Sequence, residues 1–355
     1  MEGLVVDPAF WRGKRVLVTG HTGFKGSWLS LWLVDLGASV CGFSNGVPTS
    51  PSLYEDAAVG AYVKSIQGDV RDIEAVRKAV ALVQPEIVFH LAAQALVRKS
   101  YARPVETYET NIVGTAHVLE CCCGTAASVV VVTSDKCYEP REDGRPHRET
   151  DPLGGRDPYS SSKACAELVT EAYRSAFGAC GTSIASARAG NVIGGGDWAT
   201  DRLIPDLMRA ALAERPVAIR NPSSVRPWQH VLNPLEGYLL LAQRLAFDPG
   251  AASAWNFGPD EPDERPVSWV VERFADLWGE SIVPVFDDSP QPSETRLLRL
   301  DSTKARSRLG WRPRWNLDDA LRRTVDCYRA QYEGDDVMQA VSDQIHAHQA
   351  VTANA

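Results

Sequence analysis

The sequence predicts an α/β protein built on a doubly wound parallel sheet, with a smaller α/β lobe towards its C-terminus. Three observations carry that prediction. Short aliphatic runs alternate with helix-forming stretches along the first half of the chain. One of those runs, Val129-Val130-Val131-Val132, has no polar alternation, as a strand buried on both faces requires. The first run ends in a glycine-rich turn that opens directly onto a helix-forming segment, Thr19-Gly20-His21-Thr22-Gly23-Phe24-Lys25-Gly26.

The elements follow in order. Arg15-Val16-Leu17-Val18-Thr19 is the first strand, closed by Gly20, and Ser27 to Leu36 reads as the helix after it. Ala38 to Phe43 is the second strand and Val63 to Ile66 the third, leading into Gly68-Asp69-Val70-Arg71-Asp72, a strand end followed by a helix cap. A helix ending at Gln84-Pro85 precedes the strand Glu86 to Leu91; Ser128 to Thr133 and Thr182 to Arg188 supply two more strands. The alternation implies a Rossmann-type domain over residues 1–190. After Asn191 the texture changes: Gly194-Gly195-Gly196-Asp197 is a loop, Leu203 to Glu214 a helix and Pro216 to Ile219 a short strand. Residues 191–332 form the smaller substrate lobe, interleaved with the end of the sheet, and the polar stretch 333–355 is expected to be a peripheral helix with a frayed end.

Lys and Arg number 37 against 45 Asp and Glu, a net charge of -8 that disfavours nucleic acid and anionic membrane as partners. An anionic ligand then needs a local basic pocket. No run of about 18 apolar residues is present, so no membrane span is expected. Met1-Glu2-Gly3 lacks the features of a signal peptide, and a cytoplasmic setting is the expectation. The eight cysteines include Cys121-Cys122-Cys123 but no Cys-x-x-Cys pair, so neither a disulfide framework nor a metal is expected. His346 and His348 are too isolated to propose a metal.

The turn from Gly20 through Gly23 to Gly26 suits close approach of a pyrophosphate to the N–H groups at a helix start, with Thr22, Phe24 and Lys25 beside it. The second strand ends Phe43-Ser44-Asn45-Gly46, with neither a carboxylate for a ribose 2′-OH nor an Arg for a 2′-phosphate. Ser44 and Asn45 could bond a ribose hydroxyl, which favours NAD. Asp69, with Val70 after it, could accept a bond from an adenine amino group, or serve only as a cap.

Tyr159 and Lys163 stand four apart, the spacing that puts both on one helix face. Ser134, Asp135 and Lys136 close the fifth strand. With the glycine turn, these residues make the chain resemble the extended short-chain dehydrogenase/reductase family. The resemblance implies that Tyr159 is the acid/base for an alcohol, that Lys163 lowers its pKa and holds the nicotinamide ribose, and that Ser134 bonds the reacting oxygen. Leu91-Ala92-Ala93-Gln94 and Asn111-Ile112-Val113-Gly114-Thr115 also match family segments: Leu91, Ala92 and Ala93 are then cofactor contacts and Gln94 a substrate contact.

Asp135-Lys136 directly after the Ser narrows the likeness to the nucleotide-sugar dehydratase branch, most of whose members carry Asp-Glu there. The turn Gly20 to Gly26, the segment Thr133 to Tyr138, Gly190-Asn191-Val192-Ile193-Gly194-Gly195-Gly196-Asp197-Trp198 and Arg226-Pro227-Trp228-Gln229-His230-Val231 are similar to the CDP-glucose 4,6-dehydratases. Ser293-Glu294 departs from the family's His-Glu. The resemblance implies CDP-glucose or a related nucleotide sugar as substrate, bound NAD, and a homodimer through the helices near Val105 to Cys121 and Ser160 to Ala176. It also implies a redox cycle: Tyr159 takes the 4-OH proton as hydride leaves C4, a base removes the C5 proton while Asp135 protonates the departing 6-OH, and hydride returns to C6. Lys136 is the expected C5 base, which requires its neutral form; pairing with Asp135 is its structural alternative. Arg202, Arg220 and Arg226 are expected to meet the phosphates, Asn191 a sugar hydroxyl or phosphate, and His230 the nucleotide. A nucleotide-sugar epimerase or reductase shares Tyr159 and Lys163 but has less use for Asp135-Lys136.

Overall fold

The computed structural model describes residues 5–141, 143–279, 282–287 and 297–351. The chain begins α1 (Pro8–Trp11), β1 (Arg15–Thr19), α2 (Phe24–Asp35), β2 (Ser39–Ser44), α3 (Leu53–Asp56), β3 (Lys64–Gln67), α4 (Ile73–Val83) and β4 (Ile87–His90). Helices α5 (Val97–Ala102) and α6 (Pro104–Tyr108), a π-turn at Glu109–Val113 and α7 (Gly114–Cys122) then lead to β5 (Ser128–Val132), α8 (Pro158–Ala176) and β6 (Ser183–Arg188). The second half continues with β7 (Val192–Ile193), α9 (Leu203–Leu212), β8 (Val217–Arg220), β9 (Val225–Pro227), β10 (Gln229–His230), α10 (Leu232–Leu245) and β11 (Ala254–Asn256). It ends with β12 (Glu264–Pro266), α11 (Val267–Trp278), β13 (Pro284–Asp287), α12 (Thr303–Leu309), α13 (Leu317–Glu333) and α14 (Val337–Ala350).

Seven strands form one sheet in the order β11-β6-β5-β4-β1-β2-β3, every neighbouring pair parallel. Alternate residues of each inner strand enter different cores. Val16, Val18, Ile87, Phe89, Val130 and Val132 pack with α2 and α10 on one face, while Leu17, Val88, Val129 and Val131 pack with α4 and α7 on the other. That two-sided burial is why these strands read as unbroken apolar runs. A third core, from Ile204, Leu207, Met208, Val270, Phe274, Leu317 and Leu321, holds α9, α11 and α13 together as the substrate lobe. The lobe is interleaved with the sheet, since β11 supplies a sheet edge from far along the chain.

Local signals set the helix ends. Asp72 accepts from Glu74 N (3.0 Å) and Ala75 N (3.2 Å) to cap α4, which stops at Gln84 in a left-handed conformation (φ 47°) before Pro85. Asp157 accepts from Ser160 N (2.9 Å) and Pro158 opens α8.

Two expectations are corrected. Helix α14 is packed more deeply than its polar sequence suggests: Val341, Ile345 and His348 are buried, the first two in the main sheet core. Each such aliphatic side chain contributes about 1.5–3 kcal/mol, so helix Val337–Ala350 is anchored in the core and not peripheral; the chain end at 352–355, where fraying is expected, lies outside the described residues. Secondly, Cys123 and Cys180 form a disulfide with Cα atoms 5.9 Å apart, where free thiols were expected. β5 and β6 are parallel neighbours, Ser128 beside Ser183, so the loops entering them start side by side although 57 residues separate the cysteines. The other six cysteines are free.

Candidate active site

A cavity of about 1340 Å³ opens over the C-terminal ends of the strands, roofed by the substrate lobe. Ligands bind at this edge of a doubly wound sheet because strand ends and helix starts converge there. One wall is the glycine turn. Gly20 sits at φ +73°, and a Cβ there would come within 2.8 Å of the Ala92 backbone; a Cβ on Gly26 would overlap the Gly20 carbonyl. The turn is therefore as tight as a chain can make it. Gly23 caps α2 without a side-chain bond, leaving the first N–H groups of the helix for an anion. These features fit a dinucleotide pyrophosphate.

The other predicted cofactor contacts line the same wall: Thr22, Phe24, Ser44, Asn45, Asp69, Val70, Leu91, Ala92 and Ala93. Several are already hydrogen-bonded to one another. Thr22 Oγ1 lies 2.7 Å from Ser44 Oγ and donates to Gly46 O, while Asn45 Nδ2 donates to Asp69 Oδ2 (3.2 Å). Hydrogen bonds from Arg71 pull the Asp69 carboxyl down to about 2, so it is an acceptor at any working pH.

The opposite wall carries the proton-transfer groups. Ser134 ends the extended chain after β5 and caps a 3-10 turn, Asp135–Cys137. Its Oγ donates to Asp135 Oδ1 (2.8 Å) and accepts from Lys136 N (3.2 Å). Tyr159 is the second residue of α8, its N–H donating to Ser100 Oγ (3.1 Å). Lys163, one turn on, donates from Nζ to Val132 O (3.3 Å). Burial pushes the Tyr159 phenol up to about 12, opposed first by the neighbouring Ser134 hydroxyl. Burial pushes Lys163 down to about 8, opposed by the Glu167 charge. Asp135 Oδ2 is buried without a partner, and a Cβ on Gly190 would overlap it. Lys136 lines the cavity half-buried and makes no ion pair among the described residues, so the structural pairing with Asp135 does not form.

Lys25 is the surprise of the cofactor wall. Its side chain enters the field of Asp135, Lys163, Asp197 and Arg202, and burial followed by the Arg202 charge brings it down to about 7. A lysine between the second and third turn glycines is the signal that could have placed it there.

On the substrate side the structure brings together Asn191, Arg202, Arg220 and Arg226 in the cavity lining. Asn191 leaves β6 at φ 28°. Arg202 pairs with Asp197 (2.8 Å), Arg220 reaches Asp201 (3.4 Å) and Arg226 donates to Val225 O (3.0 Å). Arg98, Arg141 and Arg156 line the cavity too; they stand just outside the motif segments Leu91–Gln94, Thr133–Tyr138 and Tyr159–Lys163, and no residue pattern marks them. This cluster gives an acidic chain a local concentration of positive charge in its cavity.

Gln94 lines the cavity, its amide oxygen accepting from Leu96 N (2.7 Å) and its amide N–H groups donating to Leu96 O and Thr107 Oγ1 (both 3.0 Å). One substrate assignment changes. His230 does not reach the cavity. Pairing of β10 with β7 turns its ring into the core between Trp28 (5.9 Å) and Trp315 (4.8 Å), where burial pushes it down to about 3. Ser293-Glu294 lies outside the described residues. No cluster of potential metal ligands occurs among the described residues.

Comparison with known proteins adds an independent line. Residues 17–324 match the GDP-mannose 4,6 dehydratase family. The chain is 49% identical to the CDP-glucose 4,6-dehydratase of Salmonella typhimurium, over 98% of this chain and 99% of that protein. Among solved structures it resembles a dTDP-glucose 4,6-dehydratase from Streptomyces venezuelae with NAD bound (TM-score 0.77, 25% identity, 91% of this chain and 99% of that one). It also resembles a UDP-glucose 4-epimerase from Thermotoga maritima with UDP-glucose (TM-score 0.79, 25% identity, 89% and 99%).

Proposed function

This chain belongs to the GDP-mannose 4,6 dehydratase family, and on that premise we propose that it is an NAD-dependent hydro-lyase converting CDP-D-glucose to CDP-4-keto-6-deoxy-D-glucose. The observation that carries the reading is the turn Ser134-Asp135-Lys136 facing one cavity with Tyr159 and Lys163. Two kinds of proton chemistry stand side by side there. The CDP-glucose assignment draws on the 49% identity to the Salmonella typhimurium enzyme.

NAD, held by the turn Gly20–Gly26, Asp69 and Lys163, supplies a hydride acceptor for C4 and a donor for C6 when bound. The chain's own groups move the protons. Tyr159 accepts the 4-OH proton, aided by the Ser134 hydroxyl and the Arg202 charge, both of which favour its ionised form. The 4-ketone acidifies C5–H, and Lys136, which lines the cavity with no ion pair among the described residues, takes that proton. Asp135 protonates the 6-oxygen through Oδ2 as the C6–O bond breaks, and water leaves. As the hydride returns to C6, Lys136 returns its proton to C5 and the proton taken by Tyr159 replaces the one given by Asp135, so the product is one water lighter than the substrate. Arg202, Arg220 and Arg226 clamp the diphosphate.

The same reading includes a homodimer. Tyr101 (51%), Val105 (66%), Val113 (44%) and Leu168 (58%) are exposed apolar residues on the α5–α8 side, a face suited to a second copy. No described helix is long and apolar enough to cross a membrane.

The deciding experiment incubates the purified protein with NAD and, separately, CDP-, dTDP-, UDP- and GDP-glucose, and follows product mass. Loss of water from CDP-glucose first among the four is expected. A product of unchanged mass would replace dehydration with epimerisation.

A further inference from the structure

Behind the catalytic turn lies a second set of polar groups that the reaction above does not use. Glu167 stands one helical turn beyond Lys163 on α8, in line with Tyr159 and Lys163. Its carboxylate accepts from Ser186 Oγ (2.6 Å), from Arg188 Nη2 (2.7 Å) and from Thr133 Oγ1. Arg188, the last residue of β6, donates from Nη1 to Tyr138 OH (2.8 Å) and Glu149 O (3.2 Å). The Tyr138 hydroxyl donates onward to Asn256 Oδ1 (2.7 Å), and its ring stacks on His147 at 4.6 Å. Both members of the ion pair are buried.

A buried ion pair is a weak route to stability, because desolvation offsets most of the attraction and apolar residues of equal size do as well. This pair is distinguished by what it touches. Thr133 immediately precedes Ser134-Asp135-Lys136, and Tyr138 follows two residues after it. One end of the catalytic segment is therefore tied to Glu167 and the other to Arg188. Lys163 adds a third tie at Val132 O.

We propose that the Glu167–Arg188 pair is a clasp fixing the Thr133–Tyr138 segment, so that Asp135 and Lys136 are set against the sugar C5–C6 bond for elimination. The assignment of that step rests on the dehydratase reading. Arg188 is a positioning residue that acts through the segment; Tyr138 lines the cavity, but its hydroxyl is turned to Arg188 and Asn256 and serves the same positioning role. Glu167 also opposes the burial effect at Lys163, so substituting it would mix two effects.

Tyr138→Phe and Arg188→Lys isolate the clasp. The first keeps the stack on His147 and loses the hydroxyl; the second keeps a charge against Glu167 and loses the reach to Tyr138. With wild-type enzyme as reference, each variant is expected to lower kcat about 10- to 100-fold, the scale of a small misplacement of reacting groups, with KM changed less than about twofold. Absorbance of the reduced cofactor should persist through a single turnover, because oxidation at C4 by Tyr159 and Lys163 continues while elimination lags. Hydrogen exchange should quicken at the amides of residues 134–138 and stay unchanged in α8. The double variant should be no worse than the worse single one. Should Tyr138→Phe not fold, Arg188→Lys carries the same readouts. Wild-type kcat and exchange in a folded variant would overturn the clasp, as would equal loss of C4 oxidation, or failure of both variants to fold. A wild-type protein that dehydrates no nucleotide sugar would sink the dehydratase reading instead, with the exchange comparison still deciding whether the clasp exists.

Discussion

The two walls of the cavity are built on different principles. The cofactor wall consists of strand ends, backbone N–H groups and short side chains that satisfy one another, such as Thr22 with Ser44 and Asn45 with Asp69. The substrate wall consists of long arginines from strand and helix ends and from loops, among them Arg202 held by Asp197 and Arg220 held by Asp201. The first is fixed before anything binds. The second is adjustable, because a guanidinium on a flexible stem can trade one carboxylate partner for a phosphate. A family that changes sugars and nucleotides while keeping one cofactor is served by that division.

The sharpest way to break the comparison is at the junction of the walls. Lys136→Met should leave the cofactor wall, Tyr159 and Lys163 untouched, so oxidation at C4 and cofactor binding persist. Water loss should fall about 10²- to 10⁴-fold, the range for removing a general acid or base. Product mass and the reduced-cofactor signal, followed together, test this. Full product formation would remove Lys136 from the mechanism and return attention to Lys25, the other lysine in the field of Asp135.

Next in size is the substrate wall itself. Arg202→Ala removes a charged donor beside Tyr159 and leaves Asp197 without its ion-pair partner. A charge-assisted hydrogen bond is worth about 1.5–3 kcal/mol, so KM for the nucleotide sugar should rise about 10- to 100-fold, with cofactor affinity unchanged within about twofold. Titration with each ligand separates the two. Equal weakening of both would show that the walls are not independent.

The walls also differed in legibility. β1, β4 and β5 were readable because burial on both faces leaves no polar position, and the glycine turn because its tight approach to Ala92 admits only glycine. Pattern fails where contact is distant. β11 is three residues long, with nothing in Ala254–Asn256 to mark it as a sheet edge. Arg98, Arg141 and Arg156 reach the cavity from beside motifs without being part of their pattern, and Cys123 meets Cys180 only because two parallel strands start together. His230 was misread for a related reason: its motif was legible, but which face of a two-residue strand meets the cavity is decided by pairing with β7. Lys25 lines the cavity beside the turn, and its charge is also felt by Arg202 and Asp135.

The smallest effect is read in stability, and it asks whether the two walls fail together in acid. His90 lies under the cofactor wall, with Nδ1 2.7 Å from Thr19 Oγ1 and Nε2 3.1 Å from Thr115 Oγ1. His230 lies under the substrate wall, where β10 pairs with β7 just after Asn191. Burial pushes both down to about 3, from 6.5 in an exposed histidine. Because the folded value is the lower one, the unfolded chain takes up protons first as pH falls. The stability these neutral imidazoles permit is complete above 6.5 and is lost progressively from there towards about 3. At about pH 5 each costs about 2 kcal/mol, a large share of a domain's typical 5–15 kcal/mol. His230→Phe keeps a ring between Trp28 and Trp315 and removes one titration, so its loss of unfolding free energy between about pH 7.5 and pH 5 should be smaller than wild type by about that 2 kcal/mol. Urea unfolding at the two pH values measures it. An unchanged pH slope would mean that acid acts elsewhere, and that His230 is not what ties the substrate wall to the core.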